Sequence, residues 1–136
     1  MPKWKAGAEI VICTYRIKKG KDAVFLRILR RHWPALRRLG LVTREPSQVY
    51  RGRDESKKPF FVEIFTWKSP QAVEAAHASP EVMAVWEAMG KNMEARLGRP
   101  AMEFPHVRPV RIKFARAQDH VHSPRSPRGK KTSESG

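Results

Sequence analysis

Pro59-Phe60-Phe61-Val62-Glu63-Ile64-Phe65-Thr66-Trp67-Lys68 is the stretch from which the fold can be worked out. In an extended chain Phe60, Val62 and Ile64 fall on one side and Phe61, Glu63, Phe65 and Trp67 on the other, because side chains alternate with a period of two. Both sides are therefore apolar apart from Glu63. A strand covered on both faces calls for helices on one side and a second layer on the other.

Working outward, residues 47–53 read as a short strand, and the polar Asp54–Pro59 segment has the chemistry of a hairpin connection. After the central strand come Ser69-Pro70 and Ser79-Pro80, each a capping hydroxyl before a proline suited to the first helical position. The first helix they predict carries Val73, Ala76 and His77 on one side. The second is predicted to run to about Arg96, striped by Val82, Val85, Trp86, Met89 and Met93 and closed by Gly98. Residues 101–107 predict a last strand, with an extension through Phe114 left open; Pro105 and Pro109 suggest an edge position.

Toward the start of the chain, residues 9–17 are dense in β-branched and aromatic residues and predict strand one. Residues 21–39 predict a helix, with Phe25, Leu29, Trp33 and Leu36 at three-to-four spacing and Leu26 and Ile28 widening the stripe. Pro34 is expected to kink it or to open a second short helix. The order strand, helix, strand, strand, helices, strand is a ferredoxin-like βαββαβ α+β fold, a four-stranded antiparallel sheet with helices on one face. The other face keeps apolar side chains, and a symmetric homodimer with its sheets packed face to face is the simplest cover.

The chain has 136 residues, the size of one domain. Residues 1–114 are expected to form it, and residues 115–136 a disordered basic tail nearly free of large apolar side chains. Of the formal net charge of +15, residues 108–136 carry 8 Lys/Arg against 2 Asp/Glu, so the tail is where weak, salt-sensitive nucleic-acid binding is expected. No apolar run approaches the length of a membrane helix, and the opening Met-Pro-Lys-Trp-Lys has no apolar core with a cleavage site, so no membrane contact and a cytoplasmic location are expected. Cys13 is the only cysteine. It excludes an internal disulfide or a cysteine-built zinc site, and its apolar surroundings predict a buried, inert thiol.

Glu63 is the most informative residue, since a carboxylate amid apolar neighbours must be paired or kept protonated. Its expected partner is His77, on a helix face turned toward the sheet, and the two together are the expected catalytic general base. A purely structural buried pair is the competing expectation. Tyr15, Tyr50, Trp67 and Trp86 are candidate aromatic walls of a ligand pocket, with His32 lining it or at its rim. His106 near Glu103 invites a metal, but the spacing gives no ligand pattern, so no metal is expected. Arg27, Arg30, Arg31, Arg37 and Arg38 form a basic ridge on helix one that offers itself to phosphate or to solvent.

The run Tyr15-Arg16-Ile17-Lys18-Lys19-Gly20-Lys21-Asp22 leading into helix one resembles the antibiotic-biosynthesis monooxygenase-like domains of the dimeric α+β barrel group. So do Phe61-Val62-Glu63-Ile64-Phe65-Thr66-Trp67, the short helix with His77, and Ser79-Pro80 with the helix after it. The resemblance covers about residues 8–110. It implies a cavity between sheet and helices that binds an aromatic or other small organic molecule. Some such domains oxygenate phenols without metal or flavin, some open haem, and many have no assigned reaction. The haem-degrading members carry an iron-ligating histidine on the last helix where this chain has Trp86, which disfavours haem. The leading expectation is a small-molecule-binding, monooxygenase-like oxidoreductase acting without a cofactor on an aromatic or enolic substrate. The alternatives are a non-catalytic dimeric module binding nucleic acid or an acidic partner through the ridge and tail, and a haem or metal binder.

Overall fold

The computed structural model describes residues 7–117. Strands β1 (Glu9–Arg16), β2 (Gln48–Arg53) and β3 (Pro59–Trp67) form where the alternation predicts them. They join two short strands, β4 (Met102–Glu103) and β5 (His106–Val107), in an antiparallel sheet of order β2-β3-β1-β4, with β5 also on β1. Helices α1 (Asp22–Leu29), α2 (His32–Arg38), α3 (Pro70–His77) and α4 (Pro80–Gly90) cover one face. This is the expected ferredoxin-like α+β arrangement. Among the described residues no helix is long and apolar enough to cross a membrane.

The register fixes what each face carries. Cys13 lies opposite Glu63, Tyr15 opposite Phe61, and on the other side Val49 opposite Glu63 and Arg51 opposite Phe61. These pairs share the helix-covered face, where Val11, Cys13, Tyr15, Phe61, Glu63, Phe65 and Trp67 are all buried. At its centre Tyr15, Phe25 and Phe61 stack in sequence, with ring centroids 5.3 Å apart at both steps. The opposite face presents Ile10, Ile12, Val62 and Ile64, each half-buried.

Ser69 and Ser79 cap α3 and α4 as predicted, each hydroxyl accepting the amide three residues on at 3.2 Å. Three boundaries differ from expectation. The first helix breaks at Arg30–Arg31, not at Pro34, because the ring of a proline disrupts the carbonyl four residues before it, which here is that of Arg30. Pro34 itself sits in the first turn of α2, where its missing amide would be unpaired in any case. The last helix ends at Gly90 and not near Arg96. There the Asn92 side chain donates to the Ala88 carbonyl, and the Glu94 amide donates to Arg16, pulling the chain back to β1. The last strand is split by Pro105, whose carbonyl still accepts from the Ile12 amide, and it does not extend to Phe114. Val107 already faces Ile10 near the start of β1, so residues 108–117 run past the sheet's corner, with Val110, Ile112 and Phe114 exposed. Of the tail expected over residues 115–136, residues 118–136 lie outside the described residues.

Two details lock the sheet. The Phe60 ring lies over Gly52, where an added Cβ would sit 2.8 Å from it and would require the ring to shift. Arg96, nearly buried, donates to the carbonyls of Ile17 and Pro59 and to Asp54 and Glu94, tying the ends of β1 and β3 to the β2–β3 turn. The Ser56 hydroxyl, then the Arg96 guanidinium, hold the Asp54 carboxyl well below its usual range. Arg96→Ala leaves two strand-end carbonyls without their donor, and its melting temperature is expected to fall by about 10 °C. A depressed carboxyl stabilises the fold above its ordinary value of 3.8 and loses that contribution as pH falls below it. The gap between parent and variant in thermal unfolding should therefore narrow at pH 3; a gap that does not change with pH would show that Asp54 takes no part.

Candidate functional site

Glu63 is 0 % exposed. Its neighbours on the sheet are Cys13 from β1 and Val49 from β2, and its hydrogen-bond partners come from β1 and α2. Tyr15, diagonal to it on β1, donates its hydroxyl to Oε1 at 2.7 Å. His32, the first residue of α2, meets the same Oε1 through Nδ1 at 2.9 Å. The other oxygen, Oε2, is buried without a partner.

Trp86 of α4 donates its indole N–H to His32 Nε2 at 2.9 Å. An indole nitrogen can only donate, so Nε2 is the acceptor and the imidazole carries its proton on Nδ1, directed at Glu63. The bonds thus run in one direction, from Trp86 through His32 to Glu63, with Tyr15 converging from the sheet. An imidazole oriented in this way has a fixed tautomer. Phe65 packs edge-on against His32, with centroids 5.6 Å apart, and helps hold the ring.

The expected Glu63–His77 pair is not formed. His77 is exposed at the end of α3, and its Nδ1–H donates to the Val73 carbonyl at 2.9 Å, the bond of a helix-end histidine to the preceding turn. The buried face of α3 is Ala72 and Ala76 instead. His77 reaches the network only at one remove, its ring against Trp86 with centroids 4.9 Å apart. Of the expected walls, Tyr15 and Trp86 are in the network. Trp67 is buried further along β3 against Phe65, at 5.2 Å. Tyr50 is not a wall of this site: it lies opposite Val62 on the uncovered face and is 55 % exposed. His32, expected as a lining residue, turns out to be the carboxylate's direct partner.

Of the residues beside the network, Cys13 was expected as a buried thiol and Trp33 as part of the helix stripe, while the sequence reading did not single out Val49. Val49 and Ser47 form one wall of an open cleft of about 350 Å³ under Leu26, Leu29 and Trp33, a volume within the range of small-ligand sites. The indole Nε1–H of Trp33 is enclosed and has no partner. Glu63 is thus screened from the cleft by its cross-strand neighbour. The signal for Val49 was its parity with Glu63 across the hairpin; the hairpin had been recognised, but its register had not.

Burial first, and then the Glu63 charge, push the Tyr15 hydroxyl well above its usual value. Burial likewise pushes the Cys13 thiol up to about 12, against a lowering by Tyr15 and with a further rise from Glu63. Among the described residues no group of three or more His, Cys, Asp or Glu side chains is placed to hold a metal ion. His106 instead contacts Glu9 at 2.5 Å on the surface. Of the basic ridge, Arg38 pairs with Glu81 and Arg37 donates to the Val42 carbonyl, while Arg27, Arg30 and Arg31 are exposed.

No protein-family model matches the sequence, and no curated protein matches it. Solved structures do share its fold. A mutant of SnoaB, a cofactor-independent oxygenase from Streptomyces nogalater, superposes with a TM-score of 0.58 at 16% identity, covering 79% of this chain and 97% of that one. An antibiotic biosynthesis monooxygenase gives 0.58 at 16% identity over 76% and 99%. Rv0793 from Mycobacterium tuberculosis gives 0.55 at 13% identity over 79% and 99%. The resemblance read from the sequence therefore holds for the fold: the chain has the α+β architecture of the antibiotic-biosynthesis monooxygenase structures.

The raised thiol has a measurable consequence. Because the Cys13 value rises from 9.0 to about 12 on folding, its contribution is intact below pH 9 and is lost as pH climbs toward 12. The slope is about 1 kcal/mol per pH unit over that window. Denaturant titrations at pH 8, 9, 10 and 11 should show parent stability falling more steeply than that of Cys13→Ala. Parallel slopes would mean that the thiol ionises as easily in the folded chain as in the unfolded one.

Proposed function

We propose that this chain binds a small aromatic or enolic molecule in the cleft between α1–α2 and β2 and oxygenates it without a metal or organic cofactor, Glu63 taking the proton that starts the reaction. The observation that carries this reading is the state of the Glu63 carboxylate. One oxygen is held by Tyr15 and His32, the other is without a partner, and Val49 in the cleft wall is its cross-strand neighbour. A base with one oxygen anchored and the other unoccupied is oriented before substrate arrives. Access requires Val49 to give way on ligand entry, which an exposed position on an edge strand allows. The fold shared with SnoaB, itself a cofactor-independent oxygenase, supports the reading.

The chemistry balances as follows. A phenol or enol bearing a CH₂ group loses a proton to Glu63, and the anion passes one electron to O₂. The resulting radical and superoxide combine into a peroxide, whose O–O bond breaks with loss of water to leave a C=O group. One oxygen atom enters the product and the other leaves as water, with two hydrogens given up by the substrate. His32 and Trp86 act as positioning residues, holding the carboxylate without touching substrate.

A second chain is proposed on the uncovered sheet face, where Ile10, Ile12, Val62 and Ile64 lie in one half-buried patch and no described element packs over them. Light scattering should give about twice the chain mass of 15.7 kDa and Ile64→Asp the single mass; a monomeric parent rules the pairing out.

The activity is tested with phenols, anthrones and quinols, following tryptophan quenching for binding and O₂ uptake for turnover. Glu63→Gln should bind as the parent does while turnover falls by about 100-fold or more. Val49→Trp, which fills the cleft, should abolish both. Full turnover by Glu63→Gln defeats the base assignment, and a parent that binds no member of the panel defeats the cleft as the ligand site.

A further inference from the structure

We infer that the ligand of this cleft is an acid: an elongated molecule with an apolar, aromatic body and a carboxylate head that rests on Arg51 and Arg53. The inference rests on the cleft being the ligand site and goes further, by naming the class of molecule it takes.

The geometry comes from the edge strand. Alternation places Ser47, Val49, Arg51 and Arg53 on the helix side of β2. Ser47 and Val49 belong to the apolar cleft already described. Arg51, Gly52 and Arg53, with Asp22 and Pro59, line a second cleft of about 400 Å³. On the facing helix Asp22, Leu26 and Leu29 recur at three-to-four spacing, continued by Trp33 at the start of α2. Since β2 runs from the Trp33 end toward the Asp22 end, the two clefts follow one another along the same strand face. Val49 and Arg51 are two residues apart, about 7 Å, and the face from Ser47 to Arg53 spans about 20 Å. One end is apolar apart from Arg30, and the other carries two arginines.

Neither arginine has an ion-pair partner among the described residues. Arg51 is held over the Phe61 ring, 6.0 Å from its centroid, and Arg53 donates to the Lys57 carbonyl at 3.2 Å. Asp22 shares the cleft but forms no ion pair with either. It stands in the first turn of α1, where its charge answers the positive end of that helix. Two forked guanidinium groups two residues apart on one strand face are a ready receptor for a carboxylate, which each binds through paired N–H donors. An anionic head there leaves the body of the molecule to lie over Val49, beside Glu63.

The test uses anthraquinone-2-carboxylate, its methyl ester and its amide against the full chain, with tryptophan quenching at 50 and 500 mM salt. The acid should bind at least about 10-fold more tightly than the ester or the amide, and only the acid should weaken with salt. In Arg51→Gln/Arg53→Gln the acid should lose about 10- to 100-fold in affinity, with the ester unchanged; Arg27→Gln, exposed on α1, should change neither. Equal binding of acid and ester, or equal losses for both in the double variant, overturns the acid inference and leaves the cleft as the ligand site. No binding of any of the three overturns both.

Discussion

A carboxylate enclosed at the middle of β3 sets the terms for the whole helical layer. Removing an ionised group from water is costly unless hydrogen bonds and opposite dipoles replace the lost hydration, and breaking such an arrangement typically costs about 3 to 5 kcal/mol. Here the replacement comes from three directions: the Tyr15 hydroxyl in the sheet, the His32 imidazole at the start of α2, and the Trp86 indole on α4 that orients it. Each demands a placement. The helix break after Arg30 lets α2 begin at a histidine, and α4 must lie close enough for its tryptophan to reach it. The pair is wholly buried, so its bonds act in a low-dielectric setting where an unpartnered atom is expensive. The unsatisfied Oε2 breaks that logic within the pair, and such exceptions gather where a molecule binds or reacts.

Much of this was legible in the sequence. The alternation over residues 59–67 marked a strand apolar on both faces, and a lone acid in it marked the place to look. The two Ser-Pro pairs marked helix starts that the structure places at the same residues. The partner was misassigned for a definable reason. Phe25, Leu29 and Leu36 define a stripe on which both His32 and Trp33 can fall, at spacings of seven and eight from Phe25. Choosing Trp33 for the inside left the histidine to line the pocket or sit at its rim, and gave Glu63 to His77. In the structure His32 is buried and Trp33 only half-buried. His77 went the other way, because α3 is short and closes on alanines: a small buried face lets the helix pack close to the sheet while its last residue stays in solvent.

The comparison with solved structures sharpens where chemistry must be argued. Identities of 13 to 16% accompany near-complete coverage of the other chains, the signature of a fold kept by hydrophobic pattern and not by particular side chains. A fold of that kind hosts different reactions on one frame. What distinguishes this chain is therefore the set of side chains around Glu63 and along β2, and the functional reading stands on them.

The Phe60 ring over Gly52 has a bearing on the chain's behaviour in concentrated solution. β2 is the outermost strand of the sheet, and a bare outer strand invites the same strand of another molecule to add alongside it, the first step toward fibres. In this chain the stretch with least side-chain cover is shielded by an aromatic ring borrowed from the neighbouring strand, and it is flanked by the like charges of Arg51 and Arg53, which repel a second copy brought up in register. Ring and like charges together thus make this edge a poor template for unwanted self-association.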